Sequence, residues 1–286
     1  VVAPAGPFDP DKFAGGLAVV RAWGLVPEPA PHVRDREGHL AGADALRAAD
    51  LAACLADPDL KAVICARGGY GCLRLLPLIE DLELTGPAKW LIGFSDITVL
   101  HQFLNQRAGW ATLHGPMVTT LATADAVSRD HLWSILSGAA DASLRYPLGE
   151  ALLPGVVRGV VSGGNLTTLC HLLGTPYQPD FTGRLLFLED VGEAPYRIDR
   201  MLTQMTLAGC LEGVAGVVLG QFTDGGAWGE IRRVFMERLA PCGVPLAAGL
   251  AAGHGAPNMA LPLGLPATLD VAAQSLVYDQ ALAEAP

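Results

Sequence analysis

The sequence predicts an α/β fold, a parallel sheet covered on both faces and followed by a second α/β unit. Three observations carry this. Wholly apolar runs such as Ala62-Val63-Ile64-Cys65-Ala66 and Trp90-Leu91-Ile92-Gly93-Phe94 alternate with helical stretches, and strands without polar alternation are those buried on both faces. Glycine-rich turns join run to helix at Arg67-Gly68-Gly69-Tyr70-Gly71 and Gly163-Gly164-Asn165. The 286 residues are 51% hydrophobic and 17% charged, enough to bury a large core and too apolar for disorder.

Taken in order, Val1-Val2-Ala3 reads as a short strand ended by Pro4-Ala5-Gly6-Pro7. A helical pattern follows from Asp9 to Trp23, with Gly24 as its stop. Ala43 to Ala56 is alanine- and leucine-rich and ends at Asp57-Pro58. Strand 62–66 is followed by a helix from Cys72 to Ile79, and strand 90–94 by a helix from Ile97 to Gln106. Between Ser143 and Pro154 the composition changes, and Pro147, Gly149, Pro154 and Gly155 suggest a linker or a crossing strand. The division expected is a first unit over 1–145, a linker over 146–155 and a second unit over 156–286. The second holds strands at Val156–Val161, Arg184–Leu188 and Val214–Leu219. Its helices run from Asn165 to Leu173 and from Ile198 to Ala208.

Composition narrows the function classes. A formal net charge of −10, with only Lys12, Lys61 and Lys89 as lysines, argues against a nucleic-acid or anionic-membrane partner. The six cysteines show no Cys-x-x-Cys pair and no zinc-type spacing with histidine, so they read as free thiols suited to a reducing cytoplasm. Val1–Gly6 lacks the length and basic flank of a signal peptide. The uncharged stretch from Leu239 to Leu269 is broken by prolines and glycines that a lipid-spanning segment tolerates poorly.

Four segments can do chemistry. In Gly93-Phe94-Ser95-Asp96-Ile97-Thr98 a serine stands where a buried strand becomes a helix. A sharp turn there projects the hydroxyl above the sheet, and the helix start supplies free backbone N–H groups to an oxyanion. The pattern resembles a nucleophile elbow, with Ile97 where Gly-x-Ser-x-Gly has its last glycine; the other reading is a helix cap. In Arg67-Gly68-Gly69 a glycine N–H could complete an oxyanion hole, although a plain tight turn fits the same residues. At Leu188-Glu189-Asp190-Val191-Gly192-Glu193 an apolar run delivers acids at its carboxyl end, and Glu189 follows it directly. In Gly253-His254-Gly255 a histidine lies in an irregular loop. His114, the competing histidine, reads as structural or as lining the site. A hydroxyl nucleophile needs a base, and the base an acid that fixes its tautomer, so serine, glutamate and histidine form a possible triad.

These segments, together with His114-Gly115-Pro116-Met117 and Pro195-Tyr196-Arg197-Ile198-Asp199-Arg200, resemble the LD-carboxypeptidase family of serine peptidases from Val1 to about Asp270. The resemblance implies an N-terminal flavodoxin-like parallel-sheet domain, a C-terminal swivelling β/α domain and commonly a homodimer. It implies Ser95 as nucleophile, His254 as base, Glu189 as acid, and backbone N–H groups of Asp96 and Gly69 as the oxyanion hole. No metal or organic cofactor is implied.

Two substrate classes follow from the same resemblance. One is the murein tetrapeptide, whose terminal D-alanine is released from meso-diaminopimelate in cytoplasmic peptidoglycan recycling. The other is the peptidyl-nucleotide antibiotic cleaved by the microcin-immunity branch. That branch carries a longer nucleotide-contacting loop, whereas Gln221–Gly229 is short here, so the muropeptide is preferred. Trp228 remains a candidate for stacking on a base or sugar. A carboxypeptidase must also hold a free carboxylate. Arg67 is the candidate, and an inter-domain salt bridge is its other reading.

Overall fold

The structure is a computed structural model and describes residues 1–84, 87–139 and 144–279. Residues 85–86, 140–143 and 280–286, which fall within the expected first and second units and include Ser143, lie outside these. The first part of the chain holds strands β1 (Ala62–Ile64), β2 (Trp90–Gly93) and β3 (Thr112–His114). Its helices are α1 (Pro10–Ala22), α2 (Asp44–Ala56), α3 (Leu76–Ile79), α4 (Thr98–Arg107), α5 (Val118–Leu121) and α6 (Ala126–Leu136). Then come β4 (Arg145–Pro147), β5 (Glu150–Leu153), β6 (Val156–Asn165), α7 (Leu166–Leu172), β7 (Arg184–Val191), α8 (Pro195–Leu207), β8 (Gly216–Thr223) and α9 (Trp228–Leu239). The chain closes with β9 (Leu246–Ala248), β10 (Leu261–Leu263), β11 (Pro266–Asp270) and β12 (Ser275–Tyr278).

Helix α1 starts where its sequence says it should. Pro10 stands in the first turn, and the Asp9 carboxylate accepts from the N–H groups of Asp11 and Lys12 at 2.9 Å each. The expected helix over 72–79 is tighter, a 3-10 turn over Cys72–Leu75 that runs into α3. Val1-Val2-Ala3 does not form a full strand. Val2 makes a single parallel bridge to Cys65 beside β1.

Two sheets result. The smaller has order β1-β2-β3-β10, with β1, β2 and β3 parallel and β10 antiparallel on β3. The larger has order β4-β12-β11-β6-β7-β8-β9-β5, in which β6, β7, β8 and β9 are parallel. Residues 146–155 are therefore mostly strand: β4 pairs with β12 at one edge of the large sheet and β5 with β9 at the other. The expected linker is corrected on this point in favour of the strand reading, because its backbone N–H and C=O groups pair with sheet edges that would otherwise be open. The chain also returns to its first half. After forming most of the second sheet it adds β10 to the first, and the Tyr146 and Tyr278 hydroxyls donate to the carbonyls of Ala260, just before β10, and Pro262, within it.

The period of two along β7 sorts the core. Leu185 and Phe187 pack with Ile92, Leu113 and Val161 between the sheets, whereas Leu186 and Leu188 pack under α7, α8 and α9 with Ile198, Leu202 and Phe235. Each fully buried side chain of this size contributes on the order of 1.5–3 kcal/mol. The same alternation turns Glu189 toward the first half of the chain and Asp190 toward the helices.

Candidate active site

Strand β2 ends at Gly93, and Ser95 follows two residues later with φ 64°, in the left-handed region that non-glycine residues rarely occupy. Such strain, of order 1–3 kcal/mol, persists where the surroundings enforce it. Glycines make the room. A Cβ on Gly93 would meet Ile97 Cγ1 at 2.8 Å, so the side chain of Ile97 fills the space above Gly93. A Cβ on Gly68 would stand 3.0 Å from Ser95 Cβ. The elbow thus tolerates isoleucine at its last position because Gly93 is bare. Behind it, the Asp96 carboxylate accepts from the Cys72 N–H at 2.8 Å and ties the elbow to the glycine turn. Burial pushes this carboxyl up, opposed by the Cys72 hydrogen bond.

Helix α4, which carries the elbow forward, docks on β6. A Cβ on Gly164 would collide with Thr98, and the Gln102 side-chain amide donates to the Gly163 carbonyl at 2.8 Å. Gly163-Gly164-Asn165, expected to open a helix, ends β6 and allows this close approach, and Asn165 then caps α7, its side chain accepting from the Thr168 N–H.

Glu189 is fully buried at the end of β7, and its Oε2 accepts from His254 Nδ1 at 2.7 Å. Burial alone would raise the Glu189 carboxyl; the neighbouring histidines outweigh that and hold it well below the usual carboxylate range. Burial likewise lowers His254, but the Glu189 hydrogen bond and charge prevail and raise it. Asp190 points to the other face. It accepts from Asn165 Nδ2 and from the Thr167 N–H and hydroxyl, so it anchors the start of α7. Glu193 faces Arg197 at 3.7 Å.

The His254 loop is pinned from two sides. β8 carries one extra residue against β7, since Leu188 pairs with Leu219 and Asp190 with Phe222. The bulge places Gln221 under the loop, where Oε1 accepts from the Gly255 N–H and Nε2 donates to the Pro257 carbonyl, both at 2.8 Å. Asn258 accepts from the Gly253 N–H at 3.1 Å, and its own N–H donates to the Ser128 hydroxyl. Phe94 meets the His254 ring edge-on at 4.8 Å between centroids. Gly253 has φ 133°, and a Cβ there would lie 2.9 Å from Glu189 Oε2. Gly253→Ala is therefore expected to cost about 1–3 kcal/mol of stability. By displacing the imidazole it should also lower turnover on the order of 100-fold. Thermal melting and steady-state kinetics check this, and wild-type kinetics would show that the glycine is dispensable.

Ser95 and His254 line one cleft of about 490 Å³, together with Asp9, Lys12, Arg67, Gly68, Gly69 and Met117. A second hollow, of about 410 Å³, continues from His254 past Asp125, Ser128 and Asn258. With Nδ1 held by Glu189, Nε2 is the free nitrogen of His254. No hydrogen bond joins it to Ser95 Oγ, a looseness common in ligand-free sites. Gly69 has φ 110°, and among the described residues no acceptor takes its N–H. Among the described residues no cluster of three or more His, Cys, Asp or Glu is arranged to hold a metal, and all six cysteines are free. Among the described residues no helix is long and apolar enough to cross a membrane.

The structure thus brings Ser95, Asp96, Gly69, Glu189, His254 and Arg67 to one place. Arg67 makes no ion pair with a described residue, which corrects the salt-bridge reading; its guanidinium donates to the Pro7 carbonyl at 2.7 Å. Trp228 does not line the cleft. It begins α9, and its indole N–H donates to Glu150 Oε2 at 3.0 Å. Sequence reasoning missed Gln221, Asn258 and the side chain of Asp96. Gln221 had a legible signal, a polar residue closing the apolar run Val217-Val218-Leu219-Gly220.

Comparison with known proteins agrees with this arrangement. Residues 1–115 match the LD-carboxypeptidase N-terminal domain and residues 158–269 the LD-carboxypeptidase C-terminal domain. A Streptomyces coelicolor protein that carries a carboxypeptidase name is 43% identical over 98% of this chain and 92% of its own length. The murein tetrapeptide carboxypeptidase of Pseudomonas aeruginosa is 36% identical over 94% of this chain and 92% of its own. The crystal structure of muramoyltetrapeptide carboxypeptidase from Oxalobacter formigenes superposes with a TM-score of 0.84 at 29% identity, covering 96% of each chain. The two-sheet architecture, the elbow serine and matches over both halves of the chain place it in the LD-carboxypeptidase family of serine peptidases.

Proposed function

We propose that this enzyme releases the terminal D-alanine of murein tetrapeptides from the meso-diaminopimelate residue before it, through an acyl-serine intermediate. The observation that carries the reading is the buried Glu189 carboxylate on His254 Nδ1, with strained Ser95 in the same cleft. The names of the Pseudomonas and Oxalobacter relatives support the substrate class.

In this mechanism His254 Nε2 takes the Ser95 proton as Oγ attacks the diaminopimelate carbonyl carbon. The oxyanion accepts from the N–H groups of Asp96 and Gly69. The intermediate collapses, the C–N bond breaks, and His254 returns its proton to the leaving D-alanine amine. Water, deprotonated by His254, then attacks the acyl-serine ester and regenerates Ser95. Glu189 fixes the imidazole tautomer and stabilises the imidazolium formed in each half. No step calls on a metal, so turnover is expected to survive prolonged chelation; loss on chelation with recovery on adding zinc would contradict the serine route.

Arg67 and Lys12 are the cationic side chains of the cleft, and we assign them to the substrate's free carboxylates. Arg67→Ala is expected to raise KM about tenfold to a hundredfold with little change in kcat, the pattern of lost ground-state binding. A KM unchanged by Arg67→Ala would remove that assignment. Free thiols suit a cytoplasmic setting, and a homodimer is part of the same proposal. Peptidyl-nucleotide substrates would draw on Trp228, which is bonded to Glu150 and outside the cleft. The deciding experiment offers the L,D tetrapeptide, its L-alanine-terminated analogue and an acyl-sulfamoyl adenylate side by side. Preferred release of D-alanine is the expected result, and preference for the adenylate would overturn the substrate assignment.

A further inference from the structure

The proposed triad uses one oxygen of Glu189 and leaves the other without a partner. Glu189 Oε1 is buried and makes no hydrogen bond. At the end of β3, on the other sheet, His114 is equally buried, and neither of its ring nitrogens has a partner. His114 Nε2 lies 3.6 Å from Glu189 Oε1, a few tenths of an ångström beyond a hydrogen bond. A buried carboxylate oxygen and a buried imidazole nitrogen each cost free energy while unpaired. Here the two are complementary and face each other. Little else can serve His114: its ring is packed against Phe187 at 5.0 Å and Phe94 at 5.9 Å between centroids. Its other aromatic neighbour, His101 on α4, spends Nε2 on the Gly93 carbonyl at 2.8 Å, and burial lowers it to about 3, so it stays neutral.

We propose that His114 is a positioning residue for Glu189: its Nε2–H donates to Oε1, which orients Oε2 toward His254 Nδ1 and extends the triad to a four-residue chain across both sheets. This rests on the Ser95 reading above. His114 does not line the cleft and touches no substrate. Its effect is on the carboxylate. A donor on Oε1 spreads the Glu189 charge and restrains the side chain from turning away from His254. It also makes the alignment of base and acid depend on the docking of β3 against β7, so the two halves of the chain must be seated together before the site is competent.

The titratable groups facing the chain are few. Glu189 and Asp190 lie on β7, and Asp190 is taken up by Asn165 and Thr167. His254 is on its loop, and His101 and His114 approach from α4 and β3. Removing the donor concentrates charge on Glu189, so His254 holds its proton more tightly. The acid limb of kcat/KM should then move up by about half a pH unit.

The test compares His114→Phe, which keeps a ring and removes the donor, with His114→Gln, whose side-chain amide can reach the position of Nε2. Ser95→Ala is run alongside. His114→Phe is expected to lower kcat about tenfold to a hundredfold with KM within about twofold, and to shift the acid limb upward. His114→Gln should restore most of both. Wild-type kcat and an unmoved limb in His114→Phe would overturn the proposal, as would equal losses in Phe and Gln with the limb unmoved. Proton NMR with His114 in place gives a second readout should His114→Phe fail to fold. The His114 Nε2–H resonance should move upfield in Glu189→Gln, and a resonance indifferent to that change overturns the proposal. Ser95→Ala separates the two readings: if it retains turnover, the nucleophile assignment fails whatever His114 does.

Discussion

Replacing Ser95 with alanine is expected to remove at least about three decades of turnover on murein tetrapeptide while leaving the fold intact. The hydroxyl makes no hydrogen bond whose loss would strand a partner, and alanine meets the same backbone strain as serine at φ 64°. What survives is catalysis from the oxyanion donors and from substrate binding alone. Ser95→Gly should be as inactive yet melt higher than Ser95→Ala, because glycine occupies a positive φ without a Cβ clash. Kinetics and melting curves on the two variants separate the chemical role of the hydroxyl from the strain of the elbow. Turnover of Ser95→Ala within tenfold of wild type would remove Ser95 from the mechanism.

Glu189→Gln is the second large effect, and its sign in pH follows from the balance at His254. Burial pulls the imidazole down, but the Glu189 hydrogen bond and charge more than reverse this and raise it. The base must be neutral to accept the Ser95 proton, so turnover falls as pH falls through the raised value. The acid limb of the wild type should therefore lie above the ordinary imidazole value of about 6.5. In Glu189→Gln the charge is gone while burial remains, so the limb should move to lower pH. Turnover on the plateau should nevertheless fall about 1,000-fold or more, because the imidazolium of the transition state loses its counter-charge and the tautomer its anchor. Combining the substitution with His254→Ala should add little, since triad members act as a unit. A limb that stays in place, or losses that add fully, would send the acid's role elsewhere.

Much of this site was legible before the structure, for reasons specific to each segment. Ser95 was visible because a buried strand ending at Gly93 and a helix starting near Thr98 leave one turn for it. Glu189 was visible as the first polar residue after Leu185–Leu188, and the period of two separates it from Asp190. Local sequence could not show β10 returning to pair with β3, since that contact joins residues about 150 apart around the irregular loop that carries His254. The stretch that forms β4 and β5 was open to two readings, a linker or a crossing strand, because its turn residues dominate and the pairing partners, β12 and β9, lie about 100 or more residues downstream. The roles of Gln221 and Asn258 depend on a bulge and a loop fold, which residue type alone does not encode. Arg67 lines the cleft because its glycine turn does, while Trp228, a candidate for stacking on residue type alone, begins α9 and turns to Glu150 instead.

The most direct test is mass spectrometry of the products formed from one murein tetrapeptide by the wild type and by Ser95→Ala. The wild type should convert it to the tripeptide and free D-alanine, and Ser95→Ala should leave it intact over the same period. An uncut tetrapeptide with the wild-type enzyme, cleavage at another bond, or comparable conversion by both proteins would contradict a serine LD-carboxypeptidase acting through Ser95.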